Sequence, residues 1–552
     1  MSPHRTSIWR RSPNKLRRSE IWLECFYFTS LLLAALILFL VNLGSLPLLD
    51  LDEGTNAQVA KQIFLQGSFS GWIFPTLWNE PYFAQPPLVH GLIAIAYKVF
   101  GINEFATRLP GALLGAASVV LLYNIGREVF VARFPAVCGA LIYLTCLPVV
   151  RSSRLAMSDG PLLCFELIAV WAMLRSRRDL RWSLLVGIGL GMVSLTQGAA
   201  ALPVWIVIGS FLLWDTPRLL TSSYFIGGLL LGALPGIGWY VAQYFHYYEL
   251  DNLLALFELF MGQMSNGEAE AVAFSANHLI RGLTYIFPWG LAIFFGSRLA
   301  LQNIHWGWGR LFVVWIGVYF TLFLLTYNHD FWSISFLSLY PVFALAGGIK
   351  LDSIRNLPSY IDYPRIWTYS FILMAVIAAI AGLHWGIRNY SDFYLPFICG
   401  SFAITFTATA IVMAQQEQQF IPLLFWGLLV SIFMLLISPH WIWELRSVEP
   451  VKPIASLIRE HTPKNQVVYT SMSRDRPSLD FYSDRRVVPL KLVDLKIHWE
   501  ADPKHDLDVY LLVDSIAIDN LDISAKNIIS TPSSEHQSSD WMLAVKHSQS
   551  QS

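Results

Sequence analysis

The chain has 552 residues, of which 55% are hydrophobic, 14% are aromatic and only 14% are charged. This apolar content exceeds what one soluble core can bury and predicts a polytopic α-helical membrane protein. The formal net charge is zero, so the overall charge indicates neither a nucleic acid nor an acidic protein as a partner.

A basic N-terminus, residues 1–20, precedes the first apolar segment, residues 21–44. That segment is long enough to cross roughly 30 Å of hydrocarbon. It is longer than the apolar region of a signal peptide, about 7 to 15 residues, and no A-x-A-like cleavage site follows it. We therefore predict an uncleaved first helix whose N-terminus lies in the cytoplasm.

Twelve later apolar segments predict further helices, which gives about 13 transmembrane helices and places the C-terminus outside. They lie near residues 107–126, 134–150, 160–174, 182–196, 199–214, 223–245, 282–300, 311–328, 333–349, 367–387, 395–414 and 420–438. Basic residues are concentrated in the loops that this topology places inside, as the positive-inside rule requires. They are Arg127, Arg133, Arg175, Arg177, Arg178, Arg181, Arg218, Arg310, Lys350, Arg355 and Arg365.

The last segment, residues 439–552, is less apolar and contains short β-like runs such as 467–469 and 509–513. We predict a small external α/β domain here, with a disordered tail after about Thr531. The predicted organisation is thus a multi-pass transmembrane domain, residues 21–438, with external loops at 45–106, 151–159 and 246–281. The chain has no P-loop or GxGxxG motif, and we predict no cofactor.

Three acids, Asp50, Asp52 and Glu53, follow the first span directly and begin a short amphipathic segment. One interpretation is helix capping, because carboxylates are favoured at helix N-termini by about 0.5 to 2 kcal/mol. The other is catalysis, because ionisable groups beside a bilayer are expensive unless they are used. In that case Asp52 and Glu53 provide a general base that takes a proton from an acceptor hydroxyl.

The next external loop places Arg151 and Arg154 just before Asp159. Guanidinium groups match phosphate oxygens in a bidentate fork, so the two arginines could hold a phosphate while Asp159 directs an acceptor. The alternative is that the arginines extend to the membrane interface and Asp159 caps the following helix.

The long external segment from His246 to Arg281 has the length of a lid or a binding loop. Its candidates for substrate binding are His278 and Arg281. Their spacing gives no metal-binding signature, and we predict no metal site.

These motifs together resemble the GT-C glycosyltransferases of the protein O-mannosyltransferase and aminoarabinose-transferase (ArnT-like) group. The resemblance rests on EGTNAQVAKQI at 53–63, YFAQPPL at 82–88, FGINEFATRLP at 100–110, the stretch from Arg154 to Asp159, and RPSLDFY at 476–482. It implies a GT-C membrane fold that takes a sugar from a polyprenyl-phosphate carrier and passes it to a lipid, glycan or protein acceptor on the outer side. It also implies that Asp52 and Asp159 are the catalytic aspartates.

The chain departs from this group at positions that are usually charged. It has Thr55 where an arginine is usual, Gln85 where a lysine is usual, and Ala84 where an acid is frequent, and a TKGP-like turn contains Gln197. Neutral donors stabilise a leaving phosphate less well, because charge-assisted hydrogen bonds are roughly twice as strong as neutral ones.

The hypothesis is direct displacement at the anomeric carbon with inversion, in which Asp52 accepts the acceptor's proton. The donor phosphate or substrate would be bound by Tyr82, Gln85, Arg151, Arg154, His278 and Arg281. We expect the protein in the plasma (inner) membrane, surrounded by membrane lipids. The alternative is a non-catalytic protein that binds or transports polyprenyl lipids, although transporters more often place ionisable groups near the middle of the bilayer.

Overall fold

The computed structural model describes most of the chain and divides it into two compact units. The described residues are 18–247, 286–325, 336–358, 360–388, 392–446, 450–464, 466–500, 508–521, 523–524, 528–530 and 541–546. The first unit comprises Met1–Leu43, Phe83–Val89 and Arg108–Trp441, and the second comprises Gly44–Tyr82, His90–Thr107 and Ile442–Ser552. The loop after the first span therefore belongs to the same unit as the C-terminal segment.

Both units contain α-helices, and the first unit consists almost entirely of them, as the apolar composition predicts. In chain order the described α-helices are α1 (Arg18–Leu40), α2 (Asp52–Gln66), α3 (Phe69–Ile73), α4 (Leu88–Phe100), α5 (Glu104–Val129), α6 (Arg133–Thr145), α7 (Leu147–Arg154), α8 (Asp159–Ser176), α9 (Ser183–Gln197), α10 (Leu202–Asp215), α11 (Ser223–Tyr247), α12 (Gly290–Gln302), α13 (Gly307–Leu325), α14 (Tyr340–Arg355), α15 (Arg365–Arg388), α16 (Tyr394–Ala414), α17 (Phe420–Ile437), α18 (Val451–His461), α19 (Pro477–Ser483), α20 (Leu492–Glu500) and α21 (Ser515–Asn520). Short 3-10 turns lie at Leu180–Trp182, Gly198–Ala201, Pro217–Leu219 and Trp443–Arg446.

Within the part of the chain that the structure describes, fewer helices meet the length and composition of a membrane span than the sequence predicts. Within the described residues, six helices are long and apolar enough to cross a membrane: α1, α5, α11, α15, α16 and α17. The helices α6 and α7 form a seventh candidate, bent by 62°. Several predicted spans coincide with shorter helices such as α12, whose 13 residues rise only about 20 Å. The protein is a multi-pass membrane protein, and the count of about 13 stays a prediction.

Ion pairs bring together the helix ends that carry the predicted cytoplasmic arginines. Glu24, near the start of α1, accepts from Arg127 Nη2 at 2.8 Å and from Arg133 Nε at 2.9 Å. Glu128, at the end of α5, accepts from Arg175 Nη1 at 2.9 Å. The start of α1, the end of α5, the start of α6 and the end of α8 therefore lie at one end of the first unit, as alternating spans require.

The helices α9 and α11 pack through glycines four residues apart, Gly187 and Gly191 against Gly228 and Gly232. A Cβ atom built on Gly191 would lie 2.0 Å from the carbonyl oxygen of Gly232. Only glycine allows such a close approach of two backbones, and this is a common arrangement between membrane helices.

The second unit contains a five-stranded mixed sheet, formed by the C-terminal segment. In order across the sheet its strands are β4 (Arg486–Pro489), β3 (Val467–Thr470), β5 (Val509–Asp514), β7 (Trp541–Lys546) and β6 (Ile528–Ser530). A separate short hairpin pairs β1 (Thr76–Leu77) with β2 (Glu80–Pro81). The pairs β3–β4 and β3–β5 are parallel, and β5–β7 and β6–β7 are antiparallel. The β-like runs predicted at 467–469 and 509–513 thus lie in β3 and β5.

Helices cover both faces of this sheet, because alternate residues of a strand point to opposite sides. Along β5, Tyr510 and Leu512 pack with α18 and α19 through residues such as Ile454. The alternate residues Leu511 and Val513 pack with α20 and α21 on the other face. The helix α19, which contains the RPSLDFY motif except its first residue Arg476, packs on the sheet through Leu479.

Candidate active site

The structure separates the two acids at the start of α2. Glu53 is fully buried, and its Oε2 accepts from the backbone N–H of Leu49 at 2.9 Å. Asp52, the first residue of the helix, is exposed. Glu53 therefore closes the turn before α2, and Asp52 is the member of the pair that can reach a substrate.

Tyr82 lies close to Asp52 in the second unit. Burial raises the pKa of the Tyr82 hydroxyl, and the negative charge of Asp52 raises it further. The hydroxyl consequently stays protonated at neutral pH and is available as a donor. The Tyr82 ring packs edge-on against His90, with 5.4 Å between ring centroids, and His90 Nε2 lies 3.0 Å from Asn56 Oδ1. Since Asn56 is one helical turn after Asp52, these residues form one polar cluster.

The loop before α2 is bound to α19 through Asp50. Arg476 Nε donates to Asp50 Oδ2 at 2.9 Å, in an ion pair whose side chains are 9% and 20% exposed. The hydroxyl of Ser478 donates to the other carboxylate oxygen of Asp50. A Cβ atom on Gly54 would lie 2.4 Å from the backbone nitrogen of Ser478, so α2 and α19 touch backbone to backbone.

Further contacts in the second unit join α2 and the β1–β2 turn to α19 and the residues after it. Trp78 Nε1 donates to Asp480 Oδ2 at 2.8 Å, and the backbone N–H of Val487 donates to Asp480 Oδ1 at 2.9 Å. Burial raises the pKa of Asp480 to about 7, although these two donors oppose the shift. Lys61 of α2 donates to the carbonyl of Phe481 at 2.9 Å and also pairs with Asp484. The segment from Gly44 to Tyr82, which we call the acidic loop, is therefore bound to α19 at several points along its length.

A second group of predicted site residues meets in the first unit. The hydroxyl of Ser158 donates to Gln85 Oε1 at 2.7 Å. Asp159 is the first residue of α8, and Gln197 Nε2 lies 3.5 Å from its Oδ1. Gln85 and Gln197, the two glutamines at positions where cations are usual, thus both contact the Ser158–Asp159 pair.

The two arginines of the loop before α8 have different surroundings. Arg154 is fully buried, donates from Nη1 to the carbonyl of Leu38 at 2.6 Å, and stacks on Trp441 with 4.4 Å from Cζ to the ring centroid. Arg151 is half-buried. These contacts hold Arg154 between the end of α1 and the residues after α17, so its role is packing and not the predicted phosphate binding. Arg151 is the better placed of the two arginines to bind a ligand.

His278 and Arg281 lie outside the described residues. Among the described part of the chain, no three His, Cys, Asp or Glu side chains lie close enough together to hold a metal ion.

The sequence did not reveal two features of the site. It marked RPSLDFY as part of a resemblance, but gave no sign that Arg476 and Ser478 bind Asp50. It also gave no role to His90 and Asn56. The available signal was a histidine two residues after YFAQPPL in a largely apolar helix, a position where a buried imidazole needs a polar partner.

Comparison with known proteins shows which glycosyltransferases the chain is similar to. The family model for dolichyl-phosphate-mannose-protein mannosyltransferase matches residues 84–239. An uncharacterised protein of Aquifex aeolicus is 22% identical over 84% of this chain and 87% of that protein. The undecaprenyl phosphate-alpha-4-amino-4-deoxy-L-arabinose arabinosyl transferase 2 of Pseudomonas fluorescens is 34% identical over 33% of this chain and 34% of the relative. The chain is similar to the ArnT-like and protein O-mannosyltransferase group of GT-C glycosyltransferases.

The fold of the chain is similar to that of ArnT over nearly the whole length of both proteins. The crystal structure of ArnT from Cupriavidus metallidurans bound to undecaprenyl phosphate superposes with a TM-score of 0.74 and 16% identity, and the match covers 94% of this chain and 98% of that one.

The alignment with the P. fluorescens transferase spans only about a third of that relative. A second arabinosyl transferase, from Pseudomonas paraeruginosa, is 32% identical over 41% of both proteins.

Proposed function

We propose that this chain moves a sugar from a polyprenyl-phosphate carrier to a lipid, glycan or protein acceptor on the outer side of the membrane. Its relatives are glycosyltransferases with lipid-phosphate sugar donors by name, and ArnT has been crystallised with undecaprenyl phosphate. The observation that carries the proposal is the exposed carboxylate of Asp52 beside Tyr82, with the neighbouring Glu53 buried in the turn.

In the proposed reaction Asp52 is the general base. The acceptor oxygen forms a bond to the anomeric carbon while the bond from that carbon to the phosphate oxygen breaks. The leaving phosphate keeps the electron pair, and the acceptor proton moves to Asp52. Attack from the face opposite the phosphate inverts the anomeric carbon. Because the lipid phosphate already activates the sugar, the proposed reaction uses no nucleotide.

We assign the donor phosphate to Gln85 and Arg151. Gln85 accepts from Ser158 with its carbonyl oxygen, so its NH2 group is the half of the amide that can donate to a phosphate oxygen. Arg151 supplies a cation in the same unit, and His278 and Arg281 stay candidates from the sequence. Asp159, with Gln197 beside it, is proposed to bind hydroxyl groups of the sugar or the acceptor.

The proposed location is the plasma (inner) membrane, with the N-terminus in the cytoplasm and the C-terminal segment outside. The helix ends joined by Glu24 and Glu128 support one part of this topology. They carry the arginines of the predicted inner loops and lie together at one end of the first unit.

The test is a turnover assay on the purified protein in lipid, supplied with polyprenyl-phosphate sugars and membrane extract and read by mass spectrometry. The variant is Asp52→Asn, which keeps the size of the side chain and removes the base. The matched control is Asp179→Asn, an exposed aspartate that caps a 3-10 turn of the first unit. We expect the wild type and the control to release polyprenyl phosphate, and Asp52→Asn to lose at least about 100-fold in kcat.

Two outcomes would contradict the proposal. If Asp52→Asn turns over like the control, Asp52 is not the base. If the wild type binds polyprenyl phosphate but transfers no sugar from any donor, the chain is a lipid-binding protein that has kept the fold of its relatives.

A further inference from the structure

Leu51, between Asp50 and Asp52, has a backbone conformation that is unfavourable for its residue type. Its φ is 57° and its ψ is −100°, a region that side chains with a Cβ atom rarely occupy. The Leu51 side chain is 54% exposed, so its own packing does not hold it there. Such strain persists where the surroundings fix the backbone on both sides, and it is concentrated at functional sites.

On the N-terminal side, the backbone is fixed by the contacts of Asp50. Both of its carboxylate oxygens are bonded, one to Arg476 Nε and the other to the Ser478 hydroxyl. A charge-assisted pair with little exposure to solvent is screened much less than a surface ion pair. Asp50 is therefore held in one place relative to α19.

On the C-terminal side, the backbone is fixed by the position of α2. Gly54 lies directly against the backbone of Ser478, and the N–H of Thr55 donates to the carbonyl of Leu51 at 2.8 Å. About two helical turns after Gly54, Lys61 is bonded to the carbonyl of Phe481. The single residue between the two fixed points must adopt whatever φ and ψ join them.

We propose that Arg476 and Ser478 are positioning residues for Asp52. By holding Asp50 against α19 they impose the conformation of Leu51, and the conformation of Leu51 sets the direction in which the Asp52 carboxylate points. This inference rests on the proposed function, since it gives Asp52 the role of the base. It places two residues of the C-terminal segment in the control of catalysis, although neither touches the reacting atoms.

The first experiment separates positioning from mere stability. Arg476→Gln removes the charge that holds Asp50, and Arg476→Lys keeps the charge. The matched control is Arg486→Gln, because Arg486 also joins the C-terminal segment to the acidic loop, through Glu80 at 2.9 Å, but the pair is exposed. We expect kcat to fall on the order of 100-fold in Arg476→Gln with KM nearly unchanged, to recover partly in Arg476→Lys, and to stay at the wild-type value in Arg486→Gln.

Hydrogen exchange of the amides of residues 50–55 gives a readout that does not depend on turnover. We expect faster exchange there in Arg476→Gln and the wild-type rate in Arg486→Gln. Equal kcat and equal exchange in these two variants would overturn the inference. If the wild type transfers no sugar, the proposed function fails, and exchange alone then decides whether Arg476 holds the loop.

The second experiment changes the strained residue itself. Leu51→Gly removes the steric conflict at positive φ, so we expect the melting temperature to stay equal or rise. We also expect kcat to stay near the wild-type value, because the contacts of Asp50 and α2 impose the same φ and ψ on a glycine. A Leu51→Gly variant with a kcat at least about 10-fold lower would show that the contacts of Asp50 and α2 do not by themselves fix the direction of Asp52.

Discussion

Replacement of Gly54 by alanine tests how closely catalysis depends on the contact between α2 and α19. The added Cβ atom would lie 2.4 Å from the nitrogen, and 3.0 Å from the Cα atom, of Ser478. Ordinary contact between such atoms is about 3.5 Å, so the two backbones must separate by about 1 Å. Neither partner is a flexible side-chain end, and the movement therefore falls on the helices.

The consequence for activity follows from the position of Gly54, two residues after Asp52 in the first turn of α2. A displacement of about 1 Å moves the base from its working position, and misplacements of this size reduce kcat on the order of 100-fold. The effect on stability is smaller. Overpacking destabilises by about 1 to 3 kcal/mol, and alanine regains up to about 1 kcal/mol over glycine within a helix.

The assay is the same turnover measurement, combined with a thermal melt of the protein in lipid. Gly209→Ala is the matched control, because a Cβ atom on Gly209 in α10 meets no other atom within 4 Å. We expect the control to keep wild-type turnover and to melt at the same or a higher temperature. A Gly54→Ala variant whose kcat stays within about twofold of the control would refute the argument that the backbone contact sets the position of Asp52.

Two further predictions concern the stability of each unit. Gly191→Ala should separate α9 from α11 at an overpacking cost of about 1 to 3 kcal/mol, and so lower the melting temperature and the yield of inserted protein. Gly238→Ala is the control and should change neither, because Gly238 has open space around it. Equal melting of the two variants would contradict the packing argument. Because the pKa of Asp480 in the folded protein is about 7 and that of the unfolded chain is about 4, the folded state binds the proton more tightly. The contribution of Asp480 to stability is thus present below about pH 4 and is lost as the pH rises towards 7. Melting curves between pH 4 and pH 8 should show this decline in the wild type and a weaker one in Asp480→Asn, and identical slopes would contradict the assignment.

The polar groups around Asp159 include neutral side chains at positions where the resemblance predicts cations. Gln85 and Gln197 are neutral, yet both contact the Ser158–Asp159 pair as part of one hydrogen-bonded group. Arg154, which could have replaced a missing cation by its position in the sequence, is instead buried against carbonyl groups of α1. The proposed phosphate contacts therefore depend on Arg151 and on amide donors.

Local patterns in the sequence determined the helices and the strands. A run of apolar residues has the same meaning wherever the chain goes, so the segment predicted at 107–126 is the centre of α5, and the one predicted at 223–245 is almost the whole of α11. The β-like runs at 467–469 and 509–513 likewise lie in β3 and β5. The acids after the first span were also visible, because charges directly beside an apolar segment are conspicuous.

Only the tertiary structure decided what each of those charges does. Asp52 and Glu53 are adjacent and chemically similar, but one is exposed and the other accepts a backbone hydrogen bond inside a turn. Asp50 and Arg476 are separated by 426 residues, and no local pattern relates them. Composition and periodicity report the surroundings of a residue along the chain, whereas the partner of a charge depends on which distant segments the fold brings within about 3 Å of it.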